Sequence, residues 1–339
     1  MKKMKTIQFS QFGSVDVLKA KEERLPAVGE SEVLIQNHFA SVNFVDVLLR
    51  QGAIPIDLSQ DGATIPGVEG SGTVAAVGSQ VKGLEIGDPV AWFGQLGVGG
   101  YSDYTVLPWS SVVKLSRELR LEQAAAIPVN YMTALNVLSQ DDLLAPFDWI
   151  LVHAAAGGVG TAITQLAKNK GLRVIATASA NKHSYVLEQR AEIVFDYADP
   201  NIITKIQDLT RDRGGLKLSL NSIGGDTWLN DISLLAPFGR LVSYGFLQGM
   251  PSSDVLSLMF QKFSNSISLQ FSDIYTLMNA DPIDFQIKMG GLFKLFEANE
   301  IQPRIDNIVD LEQANIAHKR LETRCNKGKI LLKCCDTWK

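Results

Sequence analysis

The stretch Trp149-Ile150-Leu151-Val152-His153-Ala154-Ala155-Ala156-Gly157-Gly158-Val159-Gly160 decides how this chain is read. Four large apolar residues in succession fit a strand buried on both faces, and the small residues after them fit a tight turn. An amphipathic helix is expected over 161–170, with Ile163, Leu166 and Ala167 on one face and Gly171 where a left-handed residue ends it. Strand, small turn and helix together are the setting in which the G-x-G-x-x-G dinucleotide pattern carries meaning, and Ala155, Gly157 and Gly160 take its three positions. At Ala156, Gly157, Gly158 and Val159 the backbone can approach a pyrophosphate, and the first helical N–H groups and the positive dipole end meet its charge. Gly160, lacking a side chain, permits close packing of helix on strand.

The second strand of the pattern chooses the nucleotide. An NAD site usually carries an Asp or Glu about twenty residues on, to hold the ribose 2′-hydroxyl. This chain has no acidic residue between Asp148 and Glu188, and its second strand runs out into Thr177-Ala178-Ser179-Ala180-Asn181-Lys182. The Ser179 hydroxyl and the Lys182 ammonium stand where a 2′-phosphate would lie, so NADPH is the expected cofactor. A cation in the first turn of a helix opposes the dipole, which also favours a ligand for Lys182.

Outward from this point, strand-like and helix-like segments alternate: 149–153, 161–170, 173–177, 182–189, 193–196, then 216–221, 227–235 and 239–244. Such alternation predicts right-handed crossovers and a doubly wound parallel sheet. Before it, from 6 to 114, short apolar runs are broken by turn signals such as Pro66-Gly67 and Gly87-Asp88-Pro89, which reads as an antiparallel, barrel-like β domain. Helix formers at 121–126 and 131–138 mark the transition. Past Gln270 only a helix over 285–298 and a terminal strand over 328–332 stand out. The expected division is a β domain from 1–125 and 270–339 around a nucleotide domain at 126–269.

Composition narrows the function classes. At 339 residues, with 46% hydrophobic and 20% charged residues, the chain can bury two cores and is too apolar to be disordered. A formal charge of −4 gives no reason to expect nucleic acid or an anionic membrane as partner, leaving small-molecule chemistry. The basic start runs into Gln8, Ser10 and Gln11 instead of an apolar segment, and no run reaches the roughly 18 apolar residues of a membrane span, so a cytoplasmic protein is expected. Cys325, Cys334 and Cys335 are the only cysteines, so no cysteine zinc site exists in the first three hundred residues; the adjacent pair is expected to be surface thiols.

Motifs spread in order along the chain carry a resemblance. The string 153–160 with Gln165-Leu166-Ala167-Lys168, Ser41-Val42-Asn43-Phe44-Val45-Asp46, Pro66-Gly67-Val68-Glu69-Gly70-Ser71-Gly72, Glu122-Gln123-Ala124-Ala125, Thr133-Ala134, Asn221-Ser222-Ile223-Gly224-Gly225 and Gly328-Lys329-Ile330-Leu331-Leu332 together resemble the zinc-free quinone oxidoreductase branch of the medium-chain dehydrogenase/reductase superfamily. The resemblance implies a GroES-like β-barrel catalytic domain combined with a Rossmann domain, an active site in the cleft between them, and a homodimer formed through the nucleotide domains. It implies that Tyr197 helps Ser179 and Lys182 hold the adenosine phosphate. Thr133, Ser222, Tyr244 and Gly245 are implied at the cofactor, the last two near the nicotinamide. Asn43 stands where zinc-dependent relatives have a cysteine ligand and Val68 where they have a histidine, so no metal is expected; Glu69 reads as a structural carboxylate satisfied by backbone or a basic side chain. Leu48 and Ile54 replace pocket tyrosines of bacterial members, and Arg190 replaces a usual glycine.

Hydride transfer without a metal needs an activated acceptor, a small electrophilic molecule such as a quinone or enone, whose oxygen collects the arriving charge. The Asn43 amide is the candidate catalytic donor to that oxygen; the bland alternative is an amide that only orders its own loop. His153 reads as a core or capping histidine, and His38, His183 and His318 lack partner carboxylates at informative spacing, leaving water as the proton source. A reductase of alkenals or 2-enoyl thioesters and an NADPH-binding protein with little turnover are the competing readings.

Overall fold

The structure is a computed structural model that describes residues 3–54, 62–139 and 144–335. In chain order the strands and helices are β1 (Lys3–Gln8), β2 (Lys19–Arg24), β3 (Glu32–Val42), α1 (Phe44–Gln51), β4 (Glu69–Val77), β5 (Pro89–Phe93), β6 (Tyr104–Pro108), β7 (Val112–Lys114), α2 (Leu121–Ala124) and α3 (Pro128–Ser139). There follow β8 (Trp149–Val152), α4 (Gly158–Asn169), β9 (Arg173–Ala178), α5 (His183–Glu188), β10 (Ile193–Asp196), α6 (Ile202–Thr210), β11 (Leu216–Asn221), α7 (Thr227–Leu234), β12 (Leu235–Ser243), α8 (Val255–Gln261) and β13 (Ser268–Phe271). Last come α9 (Ile274–Ala280), α10 (Pro282–Glu297), β14 (Ile305–Asp310), α11 (Ala314–Glu322) and β15 (Lys329–Lys333). The chain forms two compact units: Met1–Val129 with Met278–Asn299 and Pro303–Lys339, and Asn130–Leu277 with Glu300–Gln302.

The first unit is built on β3, whose 11 residues are long enough to hold three partners. Its first half pairs with β6, most of its length with β4 and its last four residues with β15, all antiparallel. The sheet order is β14-β15-β3-β4-β5-β7, with β6 on β3 and β1-β2 as a separate ribbon. The strand pairings within 6–114 are antiparallel, as expected; the sheet becomes mixed only at β14 and β15, which run parallel. A parallel pair needs a crossover, and α11 provides it within the region where sequence periodicity had been least informative. Two hydroxyls fasten α2 and the residue after it, Ser71 donating to the Leu121 carbonyl and Ser41 to the Ala125 carbonyl, each at 2.6 Å. Cys334, expected at the surface, lies in the cluster of Ile7, Phe9, Leu49, Tyr101 and Leu332, where burial pushes its thiol up.

The second unit is a six-stranded, all-parallel sheet in the order β10-β9-β8-β11-β12-β13. Counted from β8 this is 3-2-1-4-5-6, the doubly wound order, with its reversal point between β8 and β11. Trp149, Leu151, Ile175, Leu216, Trp228, Ile232 and Leu241 share one buried cluster, which accounts for the continuous apolar runs of the sequence. Among the described residues no helix is long and apolar enough to cross a membrane.

Candidate functional site

The turn after β8 leaves the sheet at the reversal point, where open α/β sheets bind ligands. Ala154 takes a left-handed backbone (φ 48), a strained setting for a residue with a Cβ. The Ala155 N–H is tied to the Thr177 carbonyl at 3.1 Å and the Gly157 N–H to the Ala154 carbonyl at 2.9 Å. Gly157 is the N-cap of α4 and offers no capping side chain, so the first helical N–H groups face outward from Gly158 and Val159.

The three glycines do different work. A Cβ on Gly160 would lie 2.6 Å from the Ala154 carbonyl oxygen and the Ala155 Cα, so its absence lets α4 close on β8, as expected. A Cβ on Gly158 would lie 2.5 Å from the Asn130 amide, so this glycine also makes room for a side chain of the protein. A Cβ on Gly157 would meet only the Ala154 carbonyl, at 3.3 Å, and otherwise project into open space. An uncapped helix start beside an unobstructed glycine fits a pyrophosphate.

Ser179, Lys182 and Tyr197 come together at the neighbouring ends of β9 and β10, where Ala178 and Asp196 are register partners. Ser179 is half-buried and donates to the Asn181 side chain at 2.7 Å; Lys182 is half-buried and Tyr197 exposed. Sequence reasoning missed Asp196, whose carboxylate accepts from the N–H groups of Ala180 (3.1 Å) and Ala198 (2.9 Å) and so shapes the loop carrying Ser179. No periodicity signals such a role, because it depends on β9 and β10 being neighbours.

Beyond β11, the Asn221 side-chain oxygen accepts from the N–H groups of Ile223 and Gly224, which folds the 222–225 turn. Ser222 and Tyr244 are brought together by a side-chain hydrogen bond, and burial pushes the Tyr244 phenol up to about 12. Gly245 packs on Ser222, where a Cβ would lie 3.0 Å from the Ser222 carbonyl. Thr133 sits half-buried on α3 and Ala156 is buried in the turn.

His153 is buried, as its position in an apolar run implies, but it has a carboxylate partner: its Nε2 is 2.9 Å from Asp231, and its Nδ1 3.2 Å from the Thr177 hydroxyl. Asp231 also takes a 2.6 Å bond from the Asn221 amide, so the ends of β8, β9 and β11 are joined through one polar chain.

In the first unit, Asn43 precedes α1 and its N–H donates to Asp46, whose carboxyl also accepts from the Gly67 N–H at 3.0 Å and the Tyr101 hydroxyl at 3.2 Å. Burial pushes the Asp46 carboxyl up to about 6. The Asn43 amide donates to Glu69 at 2.9 Å and accepts from the Lys329 ammonium at 2.5 Å, while Lys329 is ion-paired with Glu69. The other Glu69 oxygen accepts from the Val129 N–H at 2.8 Å. Glu69 is therefore the satisfied carboxylate that its lone position suggested. Lys329 was legible only as part of a terminal motif; a lysine opening an apolar strand is the signal that could have found it. Val68 is buried, and among the described residues no group of three or more His, Cys, Asp or Glu side chains is placed to hold a metal. Leu48 is half-buried, and Ile54 packs against the cluster around Phe9 and Leu49. Arg190 has φ 76, which explains why a glycine is usual there: the backbone is left-handed.

Known proteins match this arrangement over its length. The model of the alcohol dehydrogenase GroES-like domain matches residues 29–117, and that of the zinc-binding dehydrogenase family matches residues 158–282. A quinone oxidoreductase of Pseudomonas aeruginosa is 34% identical over 331 residues, covering 97% of this chain and 99% of that protein. A synaptic vesicle membrane protein VAT-1 homolog of Danio rerio is 32% identical over 337 residues, covering 95% of this chain and 68% of that protein. The crystal structure of Escherichia coli quinone oxidoreductase complexed with NADPH aligns with a TM-score of 0.88 at 28% identity, covering 97% of this chain and 99% of that one. With a GroES-like β domain, a parallel nucleotide-type sheet and relatives matched nearly end to end, the chain belongs to the quinone oxidoreductase branch of the medium-chain dehydrogenase/reductase superfamily.

Proposed function

We propose that this protein is an NADPH-dependent, metal-free reductase that passes hydride to a quinone or another activated carbonyl acceptor. The observation that carries the reading is the uncapped start of α4 beside the unobstructed Gly157, with Ser179, Lys182 and Tyr197 gathered one strand away. The first feature suits a pyrophosphate and the second a 2′-phosphate. The quinone oxidoreductases among its relatives, one of them solved with NADPH, support the same cofactor and acceptor class.

When bound, the nicotinamide supplies the hydride. The residues of this chain would hold and orient it: α4 and its turn would take the pyrophosphate, and Ser222, Tyr244 and Gly245 the nicotinamide end. Asn43 donates an amide hydrogen to the acceptor oxygen as charge builds there. Its amide has two hydrogens, and Glu69 accounts for one. Metal-free action is supported by the donor set: position 43 holds an amide, position 68 an alkyl group, and the Glu69 carboxylate is engaged by Lys329, Asn43 and Val129.

The working form is a homodimer joined through the second unit. Among the described residues β13 has a strand partner on one side only, and Leu256, Phe260, Phe263 and Phe271 are 65–77% exposed around it. An open edge beside exposed aromatic residues is a surface that a second copy would cover.

An anaerobic panel of quinones, enones, alkenals and 2-enoyl thioesters, followed by loss of NADPH absorbance, tests the reading. Turnover is expected to be fastest with quinones and undiminished by a chelator. No oxidation with any acceptor, or a rate that requires added zinc, contradicts it.

A further inference from the structure

The Asn43 amide sits between two buried, opposite charges. Lys329 is 3% exposed and Glu69 fully buried. The ammonium donates to the amide oxygen at 2.5 Å, and the amide nitrogen donates to the carboxylate at 2.9 Å. Rotating the amide by half a turn would set its NH2 against the ammonium and its oxygen against the carboxylate, so both contacts become repulsive. One orientation is therefore fixed by charge, in surroundings where water screens little.

An ion pair that merely tied β15 to β4 would need only Glu69 and Lys329. The short bond to the amide oxygen goes further. A hydrogen bond from a cation is about twice as strong as a neutral one and polarises the group that accepts it. Electron density drawn toward the amide oxygen leaves the amide hydrogens more positive. We propose that Lys329 is a positioning residue for the reduction step: it locks the Asn43 amide with its oxygen on the ammonium and its NH2 toward Glu69, and strengthens that NH2 as a donor to the acceptor oxygen. This rests on the reading of Asn43 as the donor.

The test measures kcat, KM for a quinone, NADPH affinity and melting temperature in Asn43→Ala, Lys329→Met, Lys329→Arg and the double variant Asn43→Ala/Lys329→Met. Lys329→Met is expected to lower kcat about tenfold or more with NADPH affinity within about twofold of the parent. Lys329→Arg keeps the charge and is expected to recover part of the loss. The double variant is expected to be no slower than Asn43→Ala alone, because the lysine acts through the amide. If Lys329→Met does not fold, Glu69→Gln/Lys329→Gln removes both charges without leaving one orphaned, and the same kcat loss is expected from it. Full kcat in Asn43→Ala overturns the donor reading of Asn43. A slow Asn43→Ala beside a fully active lysine variant, or losses that multiply in the double variant, overturns the role of Lys329 alone.

Discussion

The turn at 154–160 and the cluster of Asn43, Glu69 and Lys329 are built by opposite strategies. The turn is made by consecutive residues on one strand-to-helix connection, and its requirements are steric: a left-handed Ala154, a close-packed Gly160 and an open Gly157. The cluster draws on residues 26 and 286 positions apart, and its requirement is electrostatic neutrality in a dry interior. Local geometry tolerates substitution badly at single glycines but leaves the rest of the unit intact. A buried charge network fails as a whole when one member is lost.

The largest expected effect follows from that contrast. Glu69→Gln leaves the Lys329 ammonium buried without its counter-charge, and chemical denaturation should show a loss of about 3–5 kcal/mol. A loss below about 1 kcal/mol would mean that the ammonium reaches water and the cluster is not dry.

The two glycines of the turn should separate fold from ligand. Gly160→Val forces a side chain into backbone atoms of 154 and 155 and should cost about 1–3 kcal/mol of stability or more. Gly157→Val should leave the melting temperature nearly unchanged while weakening NADPH about a hundredfold, the ~2.7 kcal/mol of a blocked pyrophosphate contact. Equal damage to stability from both would erase the distinction.

The first unit also concentrates buried titratable groups. His318 is lowered to about 3 by burial and by Arg50, and His38 to about 4 by burial. Between those values and the usual 6.5, the unfolded chain takes up protons that the folded chain refuses, so these groups make stability rise with pH. Asp46 acts oppositely: from 3.8 to about 6 the folded chain keeps a proton that the unfolded chain has released, so stability falls with pH there. His318→Asn should flatten the rise between about pH 4 and 6 by at most one proton, ~1.4 kcal/mol per pH unit. An unchanged slope would show that His318 titrates normally.

The smallest effect is expected at Arg190. Its left-handed backbone costs a residue with a Cβ about 1–2 kcal/mol, offset by the greater freedom that glycine gives the unfolded chain. Arg190→Gly should raise stability by about 1 kcal/mol or less, and a loss would mean that the 3.2 Å bond from Arg190 to Asn169 outweighs the strain.

What was legible in the sequence follows the same division. The βα units from β8 to α5 announce themselves because apolar runs, turn residues and helix periodicity lie within a short window, and β8, β10 and β11 begin where the apolar runs begin; α6, α8 and β13 were not read, and β12 starts at Leu235, ahead of the expected Gly239. The nucleotide turn was read from its glycines, though not the use of Gly158 to admit Asn130. The parallel β14–β15 pair was not legible, since β14 (Ile305–Asp310) alternates apolar and polar residues only weakly. Nor was the partnership of His153 with Asp231, 78 residues away, or of Lys329 with Asn43. Such pairings arise from sheet order, which leaves no trace in spacing.

The most direct test of the central claim is a fluorescence titration of the protein with NADPH and NADH side by side. A phosphate held by Ser179, Lys182 and Tyr197 through charge-assisted bonds should make NADPH bind at least about tenfold more tightly. Equal affinities for the two nucleotides would contradict it.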